Sequence, residues 1–117
     1  MNIENQKAQM RKGMLEYCVL LLLARGDAYA SELIRGLKEA RLIVVEGTLY
    51  PLLTRLKNDG LLSYRWEEST SGPPRKYYSL TDQGRHTLDM LNEAWREISD
   101  TVNHLISATP TTHTTAL

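Results

Sequence analysis

The stretch from Glu46 to Leu62, EGTLYPLLTRLKNDGLL, limits the fold more than any other part of the chain. Its apolar residues Leu49, Leu52, Leu53 and Leu56 follow the i, i+3, i+4, i+7 spacing of a helix with one buried stripe. At roughly 100° of turn per residue, Gly47, Pro51, Thr54, Arg55 and Asn58 point away from that stripe. Thr48, Tyr50 and Lys57 flank it. The outer face is expected to be small, polar or basic, with no carboxylate before Asp59. Gly60 is placed to end the helix in the left-handed conformation, with Leu61 as the apolar residue that follows. Pro51 is tolerated only near a helix start, which puts that start close to Glu46–Thr48. Such a helix rests one side on a core and offers the other to a polyanion. An ordinary amphipathic helix is the alternative reading of this stretch alone.

After Leu62 the period changes to two. Ser63–Glu67 alternates and carries strand-forming aromatics. Ser69–Pro74 is a cluster of turn residues, and Arg75–Leu80 reads as the returning strand. A helix, then a hairpin with a basic tip, then another helix is the layout of a winged helix-turn-helix. GTLYPLLTRLKNDGLL followed by GPPRKYYSLTDQG resembles the PadR-type bacterial transcriptional regulators. The resemblance runs from about Met14 to the end of the last helix. It implies a DNA-binding homodimer of the short subtype, lacking the large extra C-terminal domain of the long relatives. Many relatives place Ser just before the recognition helix; Val45 stands there instead, so Thr48 is a candidate cap for a shortened first turn.

Upstream, residues 1–9 are polar and are expected to fray. One helix is expected from about Lys7 to Arg25. Met10, Met14, Cys18 and Leu21/Leu22 form one of its apolar lines, and Leu15, Val19 and Leu23 form a second. Two apolar lines suggest burial against both the chain's own domain and a second surface. A further helix is expected over Tyr29–Ala40, with Leu33, Ile34 and Leu37 facing the core. Gly36 within it costs roughly 1 kcal/mol relative to Ala unless it permits close packing. Downstream, Thr81 is a good N-cap for the last helix. Leu88, Leu91, Trp95, Ile98, Val102 and Leu105 repeat at alternating steps of three and four, a heptad seam.

These readings give an α+β, mostly helical chain: a winged helix-turn-helix over residues 1–80, an added dimerisation helix over 81–107 and a Thr-rich disordered tail over 108–117. The expected dimer interface comprises Met14, Cys18, Leu88, Leu91, Trp95, Ile98, Val102 and Leu105.

Net charge is zero, but its distribution is uneven. Residues 1–80 hold twelve Lys/Arg against nine Asp/Glu, and residues 81–117 hold two against five. A mildly basic DNA face beside an acidic dimerisation helix fits these numbers. The single Cys18 excludes an internal disulfide and suits a reducing cytoplasm; inside an apolar run it reads as a small hydrophobe. That run is too short to span a bilayer, and the N-terminus has no signal pattern.

His86, His104 and His113 are too scattered for a zinc site and read as surface residues. Ser31, Asp27 and His86 have nothing to set a triad geometry. No Gly-rich phosphate loop is present. No enzyme, cofactor, metal or membrane partner is therefore expected.

Double-stranded DNA is the expected partner, through Ser31, Gly47, Thr48, Tyr50, Arg55, Lys57, Arg75 and Lys76. Thr48 and Tyr50 lie where a recognition helix reads base edges. Arg55 and Lys57 suit phosphate, or Arg55 a guanine edge. Ser31 suits phosphate at the start of the supporting helix, and Arg75 and Lys76 suit the wing. Packing on the supporting helix is the alternative for Tyr50. For Trp95, seam packing competes with a role implied by the resemblance: in some short relatives a tryptophan here faces its symmetry mate across a pore that takes flat aromatic molecules. The whole reading is a dimeric repressor on a palindromic operator, with a small aromatic effector as a candidate release signal. A protein-interaction winged helix that does not bind DNA is its alternative.

Overall fold

The computed structural model describes residues 2–110. Five helices and a small antiparallel sheet run in the order α1 (Ile3–Lys12), α2 (Leu15–Arg25), β1 (Ala28–Tyr29), α3 (Ala30–Glu39), α4 (Glu46–Asn58), β2 (Leu62–Ser69), β3 (Gly72–Leu80) and α5 (Asp82–Ala108). The sheet order is β1-β3-β2. The core is mainly leucine. Leu20 and Leu23 of α2, Leu33 and Leu37 of α3, and Leu49, Leu53 and Leu56 of α4 are all but inaccessible. Each such side chain stabilises the fold by about 1.5–3 kcal/mol relative to exposure. The apolar stripe of α4 is therefore the part of the core that fixes which face of α4 stays outside.

The expected Lys7–Arg25 helix is two helices. Gly13 closes α1, the Met14 N–H bonds to the Arg11 carbonyl, and the Cys18 N–H picks up the Met14 carbonyl as α2 begins. The apolar line Met10–Met14–Cys18 runs through this break, which is why periodicity alone joined the two. Residues 3–9, expected to fray, are helical. Asn2 caps them, its Oδ1 accepting from the Glu4 N–H at 3.0 Å and the Asn5 N–H at 3.3 Å.

Helix α4, the expected recognition helix, starts at Glu46 with Val45 as N-cap and no side-chain cap bond. Thr48 is therefore the third helical residue, not a cap. At the far end Gly60 takes φ +82°; its N–H bonds to the Lys57 carbonyl and the Leu61 N–H to the Leu56 carbonyl, as its Gly-Leu pair foretold. Helix α3 ends the same way with Arg41 (φ +66°) in the glycine position and Leu42 bonded back to Leu37. Gly36 does serve close packing: a Cβ there would stand 3.1 Å from the Leu22 side chain.

The wing is longer than expected. Strands β2 and β3 are joined through Thr70 and Ser71 alone, and Pro73 and Pro74 belong to β3 instead of the turn. They are tolerated because β1 pairs with β3 only at Tyr77 and Tyr78, leaving the proline end of β3 open on that side. A register shift between Glu67 and Ser69 accommodates the tip.

Helix α5 is tied down at its start. The Thr81 hydroxyl donates to the Gly60 carbonyl at 2.6 Å while its oxygen accepts from the Gly84 N–H at 3.0 Å. Gly84 lies so close to the Leu61 carbonyl that a Cβ there would overlap it. This explains the Leu-Thr-x-x-Gly spacing: the cap and the glycine together seat α5 against the exit of α4. Further on, the Tyr17 hydroxyl donates to Asn92 Oδ1 at 2.6 Å, joining α2 to α5.

Leu88 was expected in a dimer seam, yet it is buried in the chain's own core, and Leu91 packs on that core. The stripe is continuous, but its first turns are covered by α2 and only the remainder is bare. Helix α5 persists through Ala108, one residue into the expected tail. Residues 111–117 lie outside the described residues.

Candidate nucleic-acid interface

Helix α3 presents Ser31 in its first turn, beside Tyr29, whose backbone N–H donates to Glu32 Oε1 at 3.0 Å. Helix α4 presents Tyr50 and Thr54, and β3 presents Pro74, Arg75 and Lys76. With Glu46, Tyr29, Trp66 and Tyr78 these residues line one open cleft between the start of α3, the outer side of α4 and the wing. The cleft brings Ser31, Tyr50, Arg75 and Lys76 together from three separate stretches of chain.

The wing cations are held by aromatic faces. The Arg75 guanidinium lies 4.0 Å from the Tyr29 ring centre, and Lys76 Nζ lies 4.5 Å from Tyr64 and 5.6 Å from Trp66. Lys57 stands 5.9 Å from Tyr64. Among the described residues no salt bridge involves Lys57, Arg75 or Lys76. Their charge is thus directed but not neutralised, the condition under which a cation displaces counterions from a phosphate backbone. Of the two wing tyrosines, Tyr78 is buried and Tyr77 packs against Tyr29, the ring centres 4.7 Å apart and the planes tilted by 56°. Burial, with Tyr50 and Tyr64 nearby, pushes the Tyr78 hydroxyl pKa up.

The other expected DNA residues fall elsewhere. Thr48 and Arg55 lie on the opposite flank of α4, bordering a groove with Lys12, Gly13, Glu16 and Pro51. Arg55 is engaged there by Glu16 at 3.2 Å and by Asp59 at 3.9 Å. Both pairs are solvent-exposed and each is worth about 0–1 kcal/mol, so Arg55 is lightly held. Gly47 is exposed, and a Cβ there would meet nothing within 4 Å. Tyr50 is 46% exposed, so packing does not consume its ring.

Sequence reading missed three features. Trp66 projects from the wing at 62% exposure. Arg65 is pinned by Glu67 at 2.8 Å and Asp27 at 3.2 Å, and lies over Tyr77 at 4.6 Å. The third is Glu46, an exposed carboxylate lining the cleft, where the outer face of α4 was expected to be free of acid. Alternation in Ser63–Glu67 could have flagged the first two; Glu46 was hidden by its position at the helix boundary.

On α5, Trp95, Ile98, Val102, Leu105 and Ile106 are each between 43% and 62% exposed. Met10 of α1 is exposed as well, whereas Met14 and Cys18 are half-buried near the α1–α2 break. Burial pushes the Cys18 thiol pKa up, which disfavours the reactive thiolate. Among the described residues no group of His, Cys, Asp and Glu is arranged to hold a metal, and no helix is long and apolar enough to cross a membrane.

A helix-turn-helix whose second helix is bare on its outer side, next to a cation-bearing hairpin, defines a winged-helix DNA-binding protein. The model of the PadR-like family of transcriptional regulators matches residues 19–90, and the chain belongs to that family. It is similar to a PadR-like transcription factor of known structure from Bacteroides fragilis, 68% identical over 86% of this chain and 98% of that one, with a TM-score of 0.74. A PadR-like regulator from Bacillus cereus is 38% identical over 84% of this chain and 96% of its own, TM-score 0.74. A PadR family regulator from Eggerthella lenta is 32% identical over 92% and 94%, TM-score 0.79. The resemblance drawn from the recognition helix and wing is thereby established, and with it the function of a DNA-binding transcriptional regulator.

Proposed function

We propose that this chain is a cytoplasmic repressor that binds a palindromic operator as a homodimer and is released by a flat aromatic ligand. The observation that carries the dimer is the bare apolar stripe from Trp95 to Ile106 on α5. A single helix with that much uncovered apolar surface is most simply covered by its own copy, since one heptad seam complements another. Exposed Met10 on α1 adds a second apolar surface for the same partner. Two copies related by a twofold axis present two recognition helices at fixed spacing, which calls for two half-sites in inverted repeat. Repression follows from occupying the operator. Ser31, Arg75 and Lys76 anchor phosphates, Thr48 and Tyr50 read bases, and Arg55 joins them once Glu16 releases it.

The ligand surface is Trp95, whose indole is 43% exposed and able to stack on a planar molecule. Such a ligand acts only through its differential affinity for two dimer arrangements. Selection from random duplexes, paired with sedimentation of the free protein, tests the reading. Enrichment of a palindrome by a dimer supports it. A monomer that enriches no sequence returns the chain to the alternative of a winged helix serving protein contacts.

A further inference from the structure

Glu46 is the first residue of α4 and lines the cleft shared by Ser31, Tyr50, Arg75 and Lys76. Tyr50 and Thr54, four and eight residues on, continue the same helical ridge along that cleft. A carboxylate at this point is repelled by the phosphates of an approaching duplex. Two ordinary explanations leave its position unexplained. An acid anywhere in the first turn satisfies the positive end of the helix dipole, without needing to face the cleft. An ion pair with the wing is not formed, although both wing cations border the same cleft. Arg75 lies over Tyr29 and Lys76 over Tyr64, and among the described residues no salt bridge involves Glu46.

What remains is an unpaired acceptor at the end of the recognition helix that reads bases. In the major groove, hydrogen-bond donors come only from exocyclic amines, N4 of cytosine and N6 of adenine. Adenine sets its N7 acceptor beside that amine, guanine offers two acceptors, and thymine an acceptor and a methyl group. A carboxylate is therefore best matched by cytosine. We propose that Glu46 is a specificity-determining residue, accepting a hydrogen bond from the N4 amine of one cytosine in each half-site. The same charge lowers affinity for duplex that lacks a cytosine there, so it discriminates by repulsion as well as by attraction. The inference rests on the DNA-binding reading and assigns one base of its operator.

The test is selection from random duplexes with the full chain and with the variants Glu46→Gln and Glu46→Ala. The wild-type chain is expected to fix a cytosine at one symmetry-related position of each half-site. Glu46→Gln is expected to move that preference to adenine, whose N6 and N7 match a carboxamide, and Glu46→Ala to lose it. Discrimination at that position should fall on the order of tenfold, while binding to unrelated duplex rises. Glu46 is exposed, so both variants should melt within a few degrees of the parent. A wild-type palindrome whose base preferences survive unchanged in both variants overturns the assignment and leaves the DNA reading intact. Failure of the wild-type chain to enrich any duplex brings down both.

Discussion

Two helix ends in this molecule close with the same hydrogen bonds but with different residues at the turning point. Gly60 occupies the left-handed region at no steric cost, whereas Arg41 does so with a Cβ that crowds the following carbonyl. Arg41 is held there by the Leu42–Leu37 hydrogen bond and by Leu42, which packs on the core. Arg41→Gly should therefore stabilise the chain by about 0.5–1 kcal/mol, the strain relief exceeding the added freedom of the unfolded chain. An unchanged or lower thermal midpoint would falsify that accounting. Gly84→Ala is expected to act in the opposite sense. The new Cβ collides with backbone and not with the end of a flexible side chain, so α5 must shift off the Leu61 carbonyl. A loss of about 1–3 kcal/mol in denaturant unfolding is expected; a neutral effect means that α5 reseats without strain.

Among the elements, the proposed function divides the labour of binding between the wing and the recognition helix. Arg75 and Lys76 sit on aromatic faces at the wing. Arg75→Ala or Lys76→Ala should weaken all duplexes alike and reduce the log–log salt slope by about one for each phosphate that a chain no longer neutralises. Thr48→Ala should alter the selected sequence instead. Wing variants that change base preference at constant salt slope would reverse these roles. The Gly60-Leu61 exit, the Thr81 cap and the leucine stripe of α4 were legible in the sequence because each depends on neighbours a few residues away. The α1–α2 break was not, since an apolar line can cross a hinge without interruption. Inclusion of Pro73 and Pro74 in β3 was not either, because it depends on how far β1 extends alongside and on the register shift opposite them. The flank on which Thr48 and Arg55 lie, away from the wing, depends on where α1 and α2 pack.

At the scale of the whole molecule, apolar periodicity identified the stripe on α5 but not what covers it. Leu88 and Leu91 lie on the same apolar stripe as Ile98 and Val102, yet the first pair belongs to the chain's own core side. A charge at Leu91 would therefore confuse unfolding with dissociation, and Ile98, 57% exposed, is the cleaner probe. Ile98→Glu should leave the monomer folded while burying an unpaired carboxylate in the proposed seam, at a cost of several kcal/mol per chain. Sedimentation that still finds a full-strength dimer would remove α5 from the interface. For Trp95→Ala, a packing role predicts a loss of about 3–5 kcal/mol in dimer stability. A role in bordering a ligand slot predicts little loss, together with quenching of Trp95 fluorescence by planar aromatic cations in a Trp66→Tyr background. No quenching and a large stability loss together assign Trp95 to packing. The length of α5 also sets a mechanical ratio. From Ile98 back to Asp82 the helix covers roughly 24 Å. If two such helices pivot against each other at Ile98 by about 10°, the end carrying the recognition domain swings through roughly 4 Å. Successive base pairs are about 3.4 Å apart. An effector that opened the two helices by that angle would thus displace each reading head by a full step along the DNA.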